Sequence, residues 1–279
     1  MRDTLRAAFS VIRLFTTAGV SLVLVVLAVG PATAAELLFP EPLHLTREIQ
    51  DPISGLTTVI EEYCLGNRIA AVAGARTTIV DYERGEVTTI DRASGTFTIE
   101  SFETLAKASF PEQSAKKSVP WNITVVAPGS TSGGRVTDRF VATRQGEGEL
   151  AQIELALDRD VRVTRAGLEV LLGSAFPTSS APALEIIDAV VGTGAVRVQS
   201  NMTGNSVRHP LPIEQRTTYA AGGETLVFSN RVVRVGSELA PSDLVAIPAG
   251  ARRVESFTSA RARMLRELDS LSIPGSEKP

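Results

Sequence analysis

From Leu43 onward, apolar and polar residues alternate with a period of two, and short runs of turn residues interrupt the alternation. That pattern suits strands with one buried and one wet face, and it predicts an antiparallel sheet. The expected strands are Leu43 to Gln50, Thr57 to Leu65 and Arg68 to Ala73, the last two joined by a tight Gly66-Asn67 connection. Thr77 to Tyr82, Glu86 to Asp91 and Thr96 to Glu100 follow, separated by Glu83-Arg84-Gly85 and Arg92-Ala93-Ser94-Gly95. The first part of the chain therefore reads as a meander. Its strands are rich in threonine and other β-branched residues, whose stiff side chains fit a pleated surface better than a helix.

A short helix is expected over Ser101 to Ala108, where Ser101 can cap the first turn, Glu103 lies early and Lys107 late. Pro111 to Arg135 has the composition of a loop, interrupted by a strand at Trp121 to Ala127. Strands resume at Val136 to Thr143 and Ala151 to Asp158; in the latter, Ile153, Leu155 and Leu157 point one way while Gln152, Glu154 and Ala156 point the other. Thr164 is placed to cap a helix over Arg165 to Leu172 that stops at Gly173, and Pro182 opens a helix over Ala183 to Val191. The remaining expectations are strands at Ala195 to Ser200, Ile213 to Ala220 and Glu224 to Val235, then a helix from Thr258 to Leu271. No repeat period interrupts this series.

The start of the chain has a different pattern. Arg2, Arg6 and Arg13 precede an apolar run from Leu14 to Val29, and Ala32-Thr33-Ala34 supplies small residues suited to a signal peptidase. Residues 1–34 thus read as an export signal cleaved after Ala34, leaving a secreted or periplasmic protein. The alternative is an uncleaved anchor, although Leu22 to Val29 is far shorter than the ~20 residues that span a bilayer. Residues 35–42 read as a flexible N-terminus, 43–255 as one domain, and 256–279 as an amphipathic helix and tail.

Composition narrows the chemistry. The 279 residues are 43% apolar and 21% charged with a formal charge of −3, an ordinary globular balance. A dedicated nucleic-acid binder would carry a basic surplus on one face. One cysteine, Cys64, and two histidines, His44 and His209, cannot build a Cys/His zinc cage or an internal disulfide. No cofactor is expected. Gly146-Glu147-Gly148-Glu149-Leu150-Ala151 imitates a dinucleotide fingerprint, but a strand follows it and its two acids would repel pyrophosphate. Gly129-Ser130-Thr131-Ser132-Gly133 has Thr131 where a nucleophile elbow needs its nucleophile, and reads as a flexible loop. His44 and His209 adjoin extended, proline-flanked sequence and read as solvated rather than as catalytic bases. Asp81 and Asp91 read as turn residues. The chain is expected not to be an enzyme.

Certain stretches resemble a known group. Tyr63-Cys64-Leu65-Gly66-Asn67-Arg68, Thr78-Ile79-Val80-Asp81 with Gly85, Thr89-Ile90-Asp91, and Thr96-Phe97-Thr98 before Ser101-Phe102-Glu103 look like the opening of an exported family related to the LolA/LolB lipoprotein-carrier superfamily. Pro210-Leu211-Pro212-Ile213, Leu239-Ala240-Pro241-Ser242-Asp243-Leu244 and Ile247-Pro248-Ala249-Gly250 resemble its closing hairpin and Pro-x-Gly ending. That family usually carries aromatic residues around the ending, where Ala246 and Ala251 stand here. The resemblance implies a mainly β (α+β) fold: a curved antiparallel half-barrel whose helices cover the concave face and leave room for acyl chains. The implied partner is a lipid or the acyl chain of a lipoprotein. LolA-like sheets also occur in envelope stress-sensing and protein-interaction modules, which is the alternative function.

By alternation, the ligand face is placed on Phe97, Ile99, Ile153, Leu155, Leu157, Leu226 and Phe228. The alternative is that these side chains form a dry core. Arg252, Arg253, Arg261, Arg263 and Arg266 make the C-terminal segment basic, beside an apolar stripe of Phe257, Met264, Leu265, Leu268 and Leu271. Peripheral contact with anionic lipid is one reading of that segment. A packed helix with a solvated basic face, balanced by Glu255, Glu267 and Asp269, is the favoured one.

Overall fold

The alternating segments pair into one sheet, and the turn residues between them set its order. The computed structural model describes residues 37–50, 52, 54–108, 120–146, 149–175, 180–194, 208–221, 224–256 and 260. Strands β1 (Phe39–Gln50), β2 (Thr57–Gly66), β3 (Arg68–Ala73), β4 (Arg76–Asp81), β5 (Glu86–Asp91) and β6 (Thr96–Ser101) form the expected meander. Helix α1 (Phe102–Ala108) follows, and the Ser101 hydroxyl accepts the Thr104 N–H at 3.2 Å, capping it. Next come β7 (Asn122–Ser132), β8 (Arg135–Gly146), β9 (Glu149–Val163), α2 (Arg165–Ala175) and α3 (Ser180–Gly192). Strands β10 (His209–Ala221) and β11 (Glu224–Gly236), the short α4 (Ser242–Val245) and β12 (Arg252–Arg253) complete the described elements.

The fold is mainly β. All these strands belong to a 12-stranded sheet in the order β12-β6-β5-β4-β3-β2-β1-β11-β10-β9-β8-β7. Neighbours are antiparallel except β12, which adds parallel to β6. Two meanders are thus fused where β1 pairs with β11, a contact between distant residues such as Leu45 and Val235, 190 positions apart. The β4–β5 and β5–β6 turns are built alike. Asp81 accepts from the N–H groups of Glu83 and Arg84, and Asp91 from those of Ala93 and Ser94. Each carboxylate holds two backbone donors that the turn would otherwise leave without a partner. Gly85, at φ 64°, then takes the left-handed conformation that closes the first turn.

Several expectations are corrected. Residues 39–42 are strand rather than flexible, and Leu38 and Phe39 are buried, because the Asn67 side chain accepts the Leu38 N–H and Thr164 donates to the Leu38 carbonyl. The strand expected at Trp121 to Ala127 runs on to Ser132, so Gly129 to Ser132 is strand and not loop. There the hydroxyls of Ser130 and Thr137 pair at 3.1 Å across β7 and β8. Gly173 does not end α2; it is buried inside the helix beside Leu171 and Leu172, where packing outweighs glycine's weak helix propensity. The leader over 1–34, the strand at Ala195 to Ser200 and the helix at Thr258 to Leu271 lie outside the described residues. Among the described residues, no helix is long and apolar enough to cross a membrane.

Helices α2 and α3 pack on each other and on β10. Leu168, Leu171 and Leu172 of α2 and Ala183, Ile186 and Ile187 of α3 share one core with Leu43, Leu45, Phe140, Ile153, Leu155, Leu157, Leu211 and Ile213 of the sheet. A smaller cluster, Ala70, Ile79 and Ile90, lies under Val245 of α4.

Candidate ligand-binding face

Register decides which side chains share a face. Across β8, β9, β10, β11 and β1 run the pairs Phe140 to Leu155, Leu155 to Gln215, Gln215 to Asn230 and Asn230 to Ile49. The next rows contain Ala142, Ile153, Thr217 and Phe228, then Ala151, Tyr219 and Leu226. Ile153, Leu155, Leu157, Leu226 and Phe228 therefore lie on one face, the one that α2 and α3 pack against.

Phe97 and Ile99 are on the other face. Phe97 pairs with Ile90, Ile90 with Thr77, Thr77 with Val72, Val72 with Glu61 and Glu61 with Thr46. Thr46 points away from its core-facing neighbour Leu45, and Phe97 points with it. Ile99 shares that side through Thr88, Ile79, Ala70, Tyr63 and His44. Phe97 is half-buried against Ala70, Ile79, Ile90 and Val245, where the segment after β11 crosses the sheet. The expected single ligand face is thus split, because alternation fixes parity within a strand but not between strands far apart in the order.

The helix-covered face is not uniformly apolar. Along β1, Leu43 and Leu45 are followed at the same parity by Arg47, which is 1% exposed. Its Nε donates to Glu62 Oε2 at 2.5 Å, and Glu62 is equally buried. Both Nη1 and Nη2 are buried and have no hydrogen-bond partner among the described residues. Asn230, two positions from Val232, the β11 partner of Arg47, is 4% exposed, and its Oδ1 likewise has no partner there. Gln215 and Thr217 continue this polar belt on β10, joined by a 3.4 Å hydrogen bond. The belt lies beside core residues of the same rows: Phe140 and Leu155 share the row of Gln215 and Asn230, and Ala142 and Ile153 that of Thr217 and Phe228. Tyr219, Leu226 and Phe228 are only half-buried, with the Tyr219 and Phe228 rings edge to face at 6.1 Å. Burial pushes the Tyr219 hydroxyl pKa up. At the end of the strands away from these rings, a cleft of ≈ 390 Å³ is lined by Phe39, Leu43, Asp160, Arg162, Arg208 and Val235.

Arg47 and Asn230 were not among the expected site residues, although their parity with Leu45 and Val232 is a signal of an inward position. Polar residues in alternating strands are assigned to the wet face by default, and here they occupy the covered one.

The two histidines are buried rather than solvated. His44 stacks on Tyr63 with centroids 4.3 Å apart, and its Nδ1 meets Glu238 at 3.2 Å while Nε2 lies 3.7 Å from Glu61. Burial and a hydrogen bond to Glu61 raise the Tyr63 pKa to about 12. His209 Nε2 meets Asp188 at 3.0 Å, and Arg165 holds the other oxygen of that carboxylate, so the contact ties α2, α3 and β10 together. Among the described residues, no cluster of His, Cys, Asp and Glu has the arrangement of a metal site.

No protein-family model matches the sequence, and no curated protein matches it. Among solved structures, "Structure of PNGF-II in C2 space group" aligns with a TM-score of 0.32 at 9% identity, and "Structure of PNGF-II in P21 space group" with 0.34 at 10%. Each alignment covers 79% of this chain and 32% of that one, so the chain spans about a third of the length of PNGF-II. A likeness of that size assigns neither a family nor an activity.

Proposed function

We propose that this is an exported, non-catalytic protein that holds a hydrophobic ligand, a lipid or the acyl chain of a lipoprotein, against the helix-covered face of its sheet. In this reading the sheet is a LolA-like half-barrel, and α2 and α3 lie over its concave side. The observation that carries it is the distribution of apolar surface on that face. Ile153, Leu155 and Leu157 are at most 2% exposed among the helix residues, yet Tyr219, Leu226 and Phe228 continue the same face at half burial. Apolar area left in water is unfavourable by about 25 cal/mol per Å², and an acyl chain would remove it.

The second reading, an envelope-sensing or protein-interaction module with a dry core, is favoured by the complete burial of Ile153 in the core that the sheet shares with the helices. Native mass spectrometry of the protein purified without detergent separates the two. The carrier reading expects heterogeneous adducts of lipid mass that organic extraction removes; a single bare mass would leave the interaction module.

A further inference from the structure

Of the twelve described strands, β7 alone carries no Asp, Glu, Lys or Arg: Asn122 to Ser132 reads Asn-Ile-Thr-Val-Val-Ala-Pro-Gly-Ser-Thr-Ser. It is also an edge of the sheet, with β8 on one side and, among the described residues, no strand on the other. Edge strands are ordinarily short or charged, because an open row of backbone N–H and C=O groups recruits another chain. The opposite edge obeys that rule. There β12 is two residues long, both arginine, and lies along β6. In contrast, β7 runs for 11 residues, with Val125 48% and Val126 58% exposed.

Register limits the stretch that can pair. From Asn122 to Val125 the match to β8 is regular; it shifts between Val125 and Ala127, and Pro128, which has no N–H to offer, follows. The usable edge is therefore Asn122 to Val126, and it is self-complementary about Thr124. When two such segments run antiparallel about a twofold axis at Thr124, Ile123 of each copy lies opposite Val125 of the other, Asn122 opposite Val126, and the two Thr124 residues face each other. Ile123 and Val125 pair with Ala142 and Phe140 of β8, so they lie on the helix-covered face, with Ile123 packed against its core. Thr124 is exposed on the other face. The Ile123 and Val125 pairs would thus carry the core across the seam, and an uncharged edge brings no like charges together there. A partner recognised by charge would find none on this strand. Each chain has one such edge and the two arginines guard the other, so the pairing closes at two copies instead of growing into a fibre.

We infer that β7 is a self-association edge: two copies of this chain join antiparallel through Asn122 to Val126, forming one continuous sheet with α2 and α3 of both copies on the same side. This is independent of what the covered face holds.

Sedimentation velocity of the purified protein over a concentration series should show a monomer–dimer equilibrium and nothing larger. Thr124→Lys and Thr124→Glu each set like charges against each other at the axis, and each alone should weaken dimerisation by about tenfold or more. An equal mixture of the two variants should regain the dimer, built of one copy of each, because opposite charges then meet. Thr124 is exposed, so neither change should disturb the monomer, and circular dichroism with thermal melting verifies that. Recovery in the mixture is a result that damaged folding would not give. Wild type that stays monomeric over the whole series, oligomers that keep growing, a dimer that survives in both single variants, or a mixture that remains monomeric would overturn the assignment.

Discussion

Thr164 ties the start of α2 to the first strand: its hydroxyl donates to the Leu38 carbonyl at 2.7 Å and accepts the Gly167 N–H at 3.0 Å. The contact is buried, and it explains why the chain ahead of Leu43 is ordered against the core. It also requires close approach. A Cβ on Gly167 would stand 2.6 Å from the Leu38 carbonyl oxygen and 3.1 Å from the Phe39 ring. Gly167→Ala should therefore destabilise by ~1–3 kcal/mol, as overpacking does. Thr164→Val should cost about 1 kcal/mol or more through the lost cap and the stranded carbonyl. Thermal or urea denaturation measures both, and an unchanged midpoint for Gly167→Ala would mean that the helix can move off the strand freely.

Added volume discriminates the two regions of the covered face. Leu155 is 2% exposed in the core shared with α2 and α3, so Leu155→Trp should cost ~1–3 kcal/mol and lower the melting temperature of delipidated protein. Phe228 is half-buried opposite Thr217, and Phe228→Trp should change stability by less than ~0.5 kcal/mol while reducing retained lipid. A large loss of stability at Phe228 with no change in lipid content would place that residue in a dry core.

Much of the sheet was legible because its signals are local. The bounds of Arg68–Ala73 and Glu86–Asp91 follow directly from alternation and turn residues, and so do the Asp81 and Asp91 turns. Three features were not legible. The pairing of β1 with β11 joins distant segments, and no local pattern encodes it. The split between Phe97 and Ile153 depends on parity carried through all the intervening strands. Arg47, Glu62 and Asn230 contradict the expectation that polar means outward, and only the order Leu43, Leu45, Arg47, Ile49 along one strand hints at it. Such departures from local consistency concentrate at functional or strained places.

Acid should weaken the fold through carboxylates that are stabilised in their charged form. Burial works to raise the Asp138 pKa, but hydrogen bonds from Arg159 and the Gly129 N–H outweigh it and hold the value below the ordinary one. A carboxyl depressed in the folded state contributes stability that is present above its unfolded pKa and is lost as pH falls through the folded value. Asp138→Asn should flatten this part of the acid limb. The effect should be at most about 1 kcal/mol and shrink with added salt, since the Arg159 side chain is 45% exposed. Glu238, held low by a backbone hydrogen bond and by His44, acts with the same sign. A denaturation midpoint that rises on acidification would contradict the assignment.

Cys64 reports on whether the covered face opens. Its thiol is 3% exposed in the main core on β2, two residues from Glu62. Burial pushes its pKa well above the usual value, Glu62 adds to the rise, and Arg47 opposes it. The thiol therefore stays protonated near neutrality, and both access and ionisation limit its reaction. Labelling of the native protein by a thiol reagent should be slow, should follow the rate of opening rather than reagent concentration once reagent is in excess, and should accelerate sharply across the unfolding transition. Because Cys64 lies in the core of the helix-covered face, ligand bound to that face should slow labelling further by stabilising the closed state. Fast labelling of folded, lipid-free protein, equal to that of a free thiol, would show that this face is open to water in the absence of ligand.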